Sequence, residues 1–110
     1  MIVFGGLRTV WVLVMFDLPT DNAEARRHYT KFRQALLEDG FLMMQYSVYA
    51  RHCASDENAD VHVKRVKQAL PPDGEIRVAR ITDKQFARME LFYGKCRRPM
   101  DAPPDQLILL

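Results

Sequence analysis

Seven consecutive apolar residues, Val10 to Phe16, run into a carboxylate, Asp17, and a turn, Leu18-Pro19-Thr20. Such a run bounded by a proline-containing turn predicts a strand buried on both faces. Alternation sends Val12, Val14 and Phe16 one way and Trp11, Leu13 and Met15 the other. Pro19 cannot donate to a ladder, so the strand closes before it. Asp17 stands where the strand leaves the core, held by a rigid element and placed to meet a ligand. The competing reading is a solvated turn aspartate.

The pattern then turns helical. Thr20 or Asp21 can cap a helix, and Glu24 completes a capping box from Asp21. Ala25, Tyr29, Phe32 and Leu36 form one apolar stripe, with Arg26, Arg27, Lys31 and Arg33 off it. Asp39-Gly40 ends the helix. Phe41 to Cys53 is rich in β-favouring residues and reads as extended throughout. A bend near Gln45–Ser47 would split it into two strands, but no turn residue forces a hairpin there. Ser55 to Asn58 is a second cap region. Ala59, Val63, Val66 and Leu70 repeat the helical spacing, Lys64, Arg65 and Lys67 face outward, and Pro71-Pro72 stops the helix. Asp73-Gly74 is a turn.

Glu75 to Ile81 predicts a strand with Ile76 and Val78 on one side and Arg77 on the other. Thr82 to Gln85 turns the chain. Phe86 to Tyr93 alternates again and predicts a further strand. Gly94 to Pro104 is a linker carrying Lys95, Arg97 and Arg98, and Asp105 to Leu110 ends in four aliphatics. So apolar an end needs a dock, most simply a sheet edge on this or a second subunit.

This order suits an α+β, ferredoxin-like sandwich (βαββαβ) with an extra C-terminal strand. Residues 1–94 form the domain, and residues 95–110 form the linker and tail strand. Both helices lie on one face of the antiparallel sheet. The other face would be bare, yet the first strand is apolar on both sides. A homodimer packing sheet against sheet supplies the cover. A two-fold axis near the first strand would bring two copies of Asp17 together. Strand parity alone does not decide whether Asp17 faces that axis or the helices.

Bulk composition narrows the classes. The 110 residues fit one domain, and 48% hydrophobic with 27% charged excludes a disordered chain. Sixteen Lys and Arg against fourteen Asp and Glu give +2, which permits a polyanion partner without demanding one. Cys53 and Cys96 match no zinc or redox spacing, so free thiols in a reducing cytoplasm are expected. No run reaches the ~18 apolar residues of a membrane span. Gly5, Gly6 and Arg8 interrupt the first apolar residues, which is not a signal-peptide layout.

Several short motifs, in order along most of the chain, resemble the CRISPR-associated protein 2 family, the small subunit of the spacer-adaptation machinery. They are Met15-Phe16-Asp17-Leu18-Pro19-Thr20, Phe32-Arg33, Gly40-Phe41, Gln45-Tyr46-Ser47-Val48-Tyr49, Gln85-Phe86-Ala87-Arg88-Met89 and the aliphatic tail. The wording is most similar to the branch found beside single-protein effector nucleases, the type II systems. The resemblance implies a ferredoxin-like homodimer whose tail strand adds to the partner's sheet. It implies a divalent cation, magnesium or another such as manganese, between the two copies of Asp17. It further implies a metal-dependent endonuclease on single-stranded RNA or duplex DNA, and a bridge holding prespacer DNA between dimers of the large integrase subunit. A prokaryotic cytoplasm follows.

One aspartate is a poor magnesium site; two across a dyad, with waters and substrate phosphate, are workable. Asp17 is thus the candidate ligand and catalytic residue. No general base stands out: His28, His52 and His62 are scattered and read as surface or packing histidines. Arg26, Arg27, Lys31 and Arg33 are candidates for one phosphate-contacting flank, and Arg77, Arg80, Lys95, Arg97 and Arg98 for another; a solvated surface is the alternative for all of them. No set looks like a base-edge code, so binding is expected to be sequence-indifferent. Tyr46, Tyr49 and Phe41 read as core or interface packing in preference to RNA stacking. Met43, Met44 and Met89 read as core filler. Two readings compete, a metal-dependent endonuclease of the paired-acid type and a DNA-binding scaffold for the integrase in which the acid is vestigial; a toxin-like metal-dependent endoribonuclease and a small-molecule regulatory module are more distant alternatives.

Overall fold

The computed structural model describes residues 9–95. Along them run β1 (Val10–Asp17), α1 (Ala23–Glu38), β2 (Leu42–Gln45), β3 (Val48–Cys53), α2 (Asp56–Gln68), β4 (Glu75–Thr82) and a one-turn α3 (Asp83–Ala87). The four strands form one sheet in the order β2-β3-β1-β4, antiparallel throughout. This is the ferredoxin-like order that the alternation of elements predicts, with β1 and β3 inside and β2 and β4 at the edges. The expected lead-in over residues 1–8 and the tail strand over Asp105 to Leu110 lie outside the described residues.

One face of the sheet carries the core. Val10, Val12, Val14 and Phe16 of β1 are buried there with Tyr49 and Cys53 of β3, Phe32 and Leu36 of α1, and Ala59 and Val66 of α2. Phe16 meets Phe32 edge-on and stacks beside Tyr49, at 5.2 and 5.7 Å between ring centroids. On the opposite face of β1, Trp11, Leu13 and Met15 are only half-buried. The strand is therefore covered on one face and partly covered on the other. α3 supplies part of that second cover: Phe86 stacks flat on Trp11 at 3.7 Å, and Trp11 Nε1 donates to Asp83 at 2.8 Å.

Caps fix the helix ends. The N-cap of α1 is Asn22, whose side chain accepts from the Ala25 N–H at 2.8 Å, one residue beyond the expected Asp21. Gly40, with φ +89°, takes the left-handed position after Asp39. Ser55 caps α2, whose first turn is acidic and whose last turn is basic, matching the helix dipole.

Two expectations are corrected. The stretch Phe41 to Cys53 is not extended throughout: Tyr46 and Ser47 turn it into a β2–β3 hairpin, with Ser47 at φ +62° taking the left-handed conformation that glycine or asparagine usually supplies. Nor does Phe86 to Tyr93 form a strand. Thr82 and Gln85 make a reciprocal capping box that starts α3 instead. Met89 to Tyr93 follows without regular structure and with much of its apolar surface exposed.

Candidate functional site

Asp17 is the last residue of β1, and the pleat decides its direction. Phe16 points into the core, so Asp17 points away from the helices, to the open face, and is exposed. Its backbone is held on two sides. Phe16 N donates to the Ser47 carbonyl at 3.1 Å, tying the end of β1 to the hairpin. On the other side Gly74 presses in from the α2–β4 loop. A Cβ there would lie 2.4 Å from Leu18 Cδ2 and 2.9 Å from the Asp17 carbonyl oxygen, so only glycine permits the approach.

The sequence reading missed a second carboxylate. β4 pairs with β1 so that Glu75 stands directly opposite Asp17, both on the open face. Arg77 follows on the same face, opposite Met15, with its guanidinium 3.5 Å from the Glu75 carboxylate. Only strand register reveals this neighbourhood; Glu75 and Asp17 are remote in sequence and share no motif. Like charges directly opposite on an antiparallel pair repel, and a cation between them removes the repulsion. Carboxylate oxygens also suit a hard divalent ion. Among the described residues of one chain, however, no group of three or more His, Cys, Asp or Glu side chains is placed to hold a metal. Asp17 and Glu75 supply two of the carboxylates that such a site would need, and do not make one by themselves.

The candidate basic residues separate into distinct places. Arg26, Arg27 and Lys31 line a shallow groove on the outer face of α1, together with His28 and Gln34. Arg33 lies two turns on from Arg26 along one flank of that helix and is half-buried. Arg77 and Arg80 are not on one flank. They point to opposite faces of β4, and Arg80 turns to α2, where it pairs with Asp60 at 2.6 Å. Lys95 is exposed at the end of the described residues, and Arg97 and Arg98 lie outside them.

The three histidines stay apart. His28 lies beside Glu24 at 3.8 Å on exposed α1, and His52 lies on the open face beside Asp83 at 3.7 Å, tilted over Trp11. His62 is buried and bonded through Nδ1 to Asp39 at 2.8 Å. Asp39 also accepts from Arg65 at 2.7 Å, and its carbonyl accepts from Arg51 at 2.7 Å. Burial alone would raise the Asp39 carboxyl, but the bonds and charges of His62 and Arg65 outweigh it and hold the group below the usual aspartate range. This knot ties the end of α1 to α2 and β3; it lies away from Asp17 and is structural. Burial pushes the free Cys53 thiol up, so it is an unreactive core residue.

Of the aromatic residues, Phe41 and Tyr49 are core, as expected. Tyr46 is not: its ring is 71% exposed at the hairpin tip.

Comparison with known proteins places the chain among named relatives. The family model described as CRISPR associated protein Cas2 matches residues 10–89, which run from the start of β1 to just past α3. A protein of Parvibaculum lavamentivorans named CRISPR-associated endoribonuclease Cas2 is 58% identical over 100 residues, covering 91% of this chain and 99% of that relative. Proteins of the same name from Flavobacterium psychrophilum and Paracidovorax avenae are 54% and 44% identical, over 93% and 94% of this chain and 89% and 96% of their own lengths. A family model matched over most of the chain, and relatives more than half identical over nearly their whole length, show that this chain belongs to the CRISPR associated protein Cas2 family.

Proposed function

We propose that this protein acts in CRISPR spacer adaptation as a homodimeric, sequence-indifferent nucleic-acid-binding subunit. It holds duplex prespacer DNA for the large integrase subunit and carries a divalent-metal-dependent endonuclease centre at Asp17. The observation that carries the reading is one of placement. Asp17 and Glu75 project from the open face of the sheet, whereas Arg26, Arg27 and Lys31 project from the outer face of α1 on the other side. Gripping and cutting thus fall to different surfaces.

The half-buried Trp11, Leu13 and Met15 support pairing through the open face, because a second copy would finish their burial. Asp17 from both protomers, with Glu75 beside each, would hold magnesium or manganese. When bound, such an ion makes water a better nucleophile and neutralises the scissile phosphate. Arg77, on the same face two residues from Glu75, would pair with that phosphate. The α1 cations hold the flanking backbone by charge, without reading bases.

The test uses the purified protein with single-stranded RNA and duplex DNA, with magnesium or chelator, beside Asp17→Asn. Cleavage is expected only for the unaltered protein with magnesium. Duplex binding and co-purification with the integrase subunit are expected to survive both chelator and substitution. Cleavage undiminished in Asp17→Asn overturns the metal centre. RNA-only cleavage without integrase association supports the toxin-like endoribonuclease instead, a reading to which the relatives' endoribonuclease names lend weight.

A further inference from the structure

Tyr46 is mostly solvent-exposed, yet its ring has an aromatic neighbour. Its ring stacks against Tyr29 of α1 with centroids 6.5 Å apart and planes 25° from parallel. Tyr29 is in turn anchored against Phe16 at 6.0 Å. Burial, followed by hydrogen bonding with Tyr46, raises the Tyr29 hydroxyl above the usual tyrosine range. The neighbouring Ser47 holds a left-handed backbone, and its carbonyl accepts from Phe16 N, the residue before Asp17. A left-handed turn, an aromatic neighbour and a backbone hydrogen bond to β1 thus set the hairpin tip, which presents one ring that the core does not consume.

The helix that Tyr46 leans on carries cations near the contact. Arg26 and Arg33 precede and follow Tyr29 by three and four residues, so they flank it one turn away on either side. The span between them is about 10 Å along the helix. Arg26 is further held by a 3.1 Å hydrogen bond to the Thr20 carbonyl. An exposed aromatic ring set against a helix that carries arginines one turn to either side suits a single strand, in which the base stacks and the phosphates pair. Because Tyr46 leans to the α1 side of the sheet, a second copy on the open face would not cover it.

We infer that Tyr46 is a nucleobase-stacking residue that receives an unpaired base of single-stranded nucleic acid, with Arg26 and Arg33 holding the adjoining phosphates. The inference rests on the nucleic-acid-binding function proposed above. It adds a site that distinguishes an unstacked base from a paired one. In a duplex both faces of each base are taken up by neighbours, so the ring has nothing to grip; a frayed end or a single-stranded substrate presents what it needs. The reading applies to Tyr46 alone, since Tyr49 and Phe41 are wholly buried.

The experiment uses the full chain and a single-stranded oligoribonucleotide carrying one 2-aminopurine, beside a duplex of equal length. The unaltered protein is expected to quench the probe on binding. Tyr46→Ala is expected to lose the quench and to bind the single strand about tenfold to a hundredfold more weakly, with duplex affinity unchanged. Tyr46→Phe keeps the ring and is expected to keep both. Equal single-strand affinity and quench in Tyr46→Ala, or an equal loss for single strand and duplex, overturns the inference. So does a change of oligomeric state in Tyr46→Ala, which would assign the ring to an interface between copies. If the unaltered protein binds neither nucleic acid, the underlying function fails as well, and that result is distinct from the others.

Discussion

Asp17 and Glu75 face one another across the β1–β4 ladder, on the side of the sheet that carries no helix. Two carboxylates so placed cost stability unless something positive stands near. Arg77 is close to Glu75, but that pair is exposed on both sides and contributes little. Asp17→Asn is therefore expected to leave the fold intact without metal, or to stabilise it by roughly 0.5 kcal/mol, about 2–4 °C in Tm. Magnesium is expected to raise the Tm of the unaltered protein, to raise that of Glu75→Gln less, and to leave Asp17→Asn unmoved. Melting curves with magnesium and with chelator check all three. A magnesium shift retained by Asp17→Asn would place the ion elsewhere.

Gly74 controls the backbone on which Asp17 sits. At φ +106° it adopts a conformation that alanine resists, and the added methyl would strike Leu18 and the Asp17 carbonyl. Gly74→Ala is expected to cost about 1–3 kcal/mol and to weaken the magnesium-induced rise in Tm, because the strand end must shift. Gly94→Ala is the control: its φ is +86°, but nothing lies within 4 Å of the new Cβ. A milder loss of stability and an unchanged magnesium response are expected there.

The knot around Asp39 sets the acid limit of the fold. The folded carboxyl titrates below its unfolded value, so the unfolded chain binds the proton more readily. The stabilisation is fully present above about pH 4, near the unfolded value, and fades as pH falls through the lower folded value. Asp39→Asn is expected to destabilise by about 1–3 kcal/mol at neutral pH, since buried His62 and the more exposed Arg65 both lose the carboxylate they bond. Its stability is also expected to fall less on acidification below pH 4. Denaturant melts of both proteins from pH 7 to pH 3 measure this; parallel losses would show that another carboxylate sets the limit.

The legibility of this chain follows the range of each interaction. β1 and both long helices are written locally, as an apolar run and as stripes through Phe32, Leu36, Ala59 and Val66, and they form where those patterns place them. The hairpin escaped because Ser47 occupies a left-handed position without the glycine or asparagine that advertises one. α3 was hidden differently: the alternation from Phe86 onward reads as a strand, while the Thr82-x-x-Gln85 cap, equally local, decides for a helix. Asp17 was visible as a candidate, but its direction needed to be known from the buried side of β1. Glu75 required the β1–β4 register, which no local pattern encodes.

The α1 surface makes a prediction that separates binding from folding. Arg27 and Lys31 are one turn apart on the exposed face, where two like charges slightly destabilise a helix, by roughly 0.2–0.5 kcal/mol. Replacing both with alanine, a stronger helix former, is expected to preserve or raise Tm. If both contact phosphates, the same change weakens duplex binding and lowers the slope of log K against log salt by about 1.8, or ~0.9 per lost contact. Arg80→Ala serves as the contrast, because that side chain is committed to Asp60 across the β4–α2 contact. It is expected to leave the slope nearly unchanged while costing some stability. A salt titration of all three proteins on one duplex decides the matter. Identical slopes for the unaltered protein and the double variant would mean that this face is only solvated, and the grip on DNA would have to come from other residues.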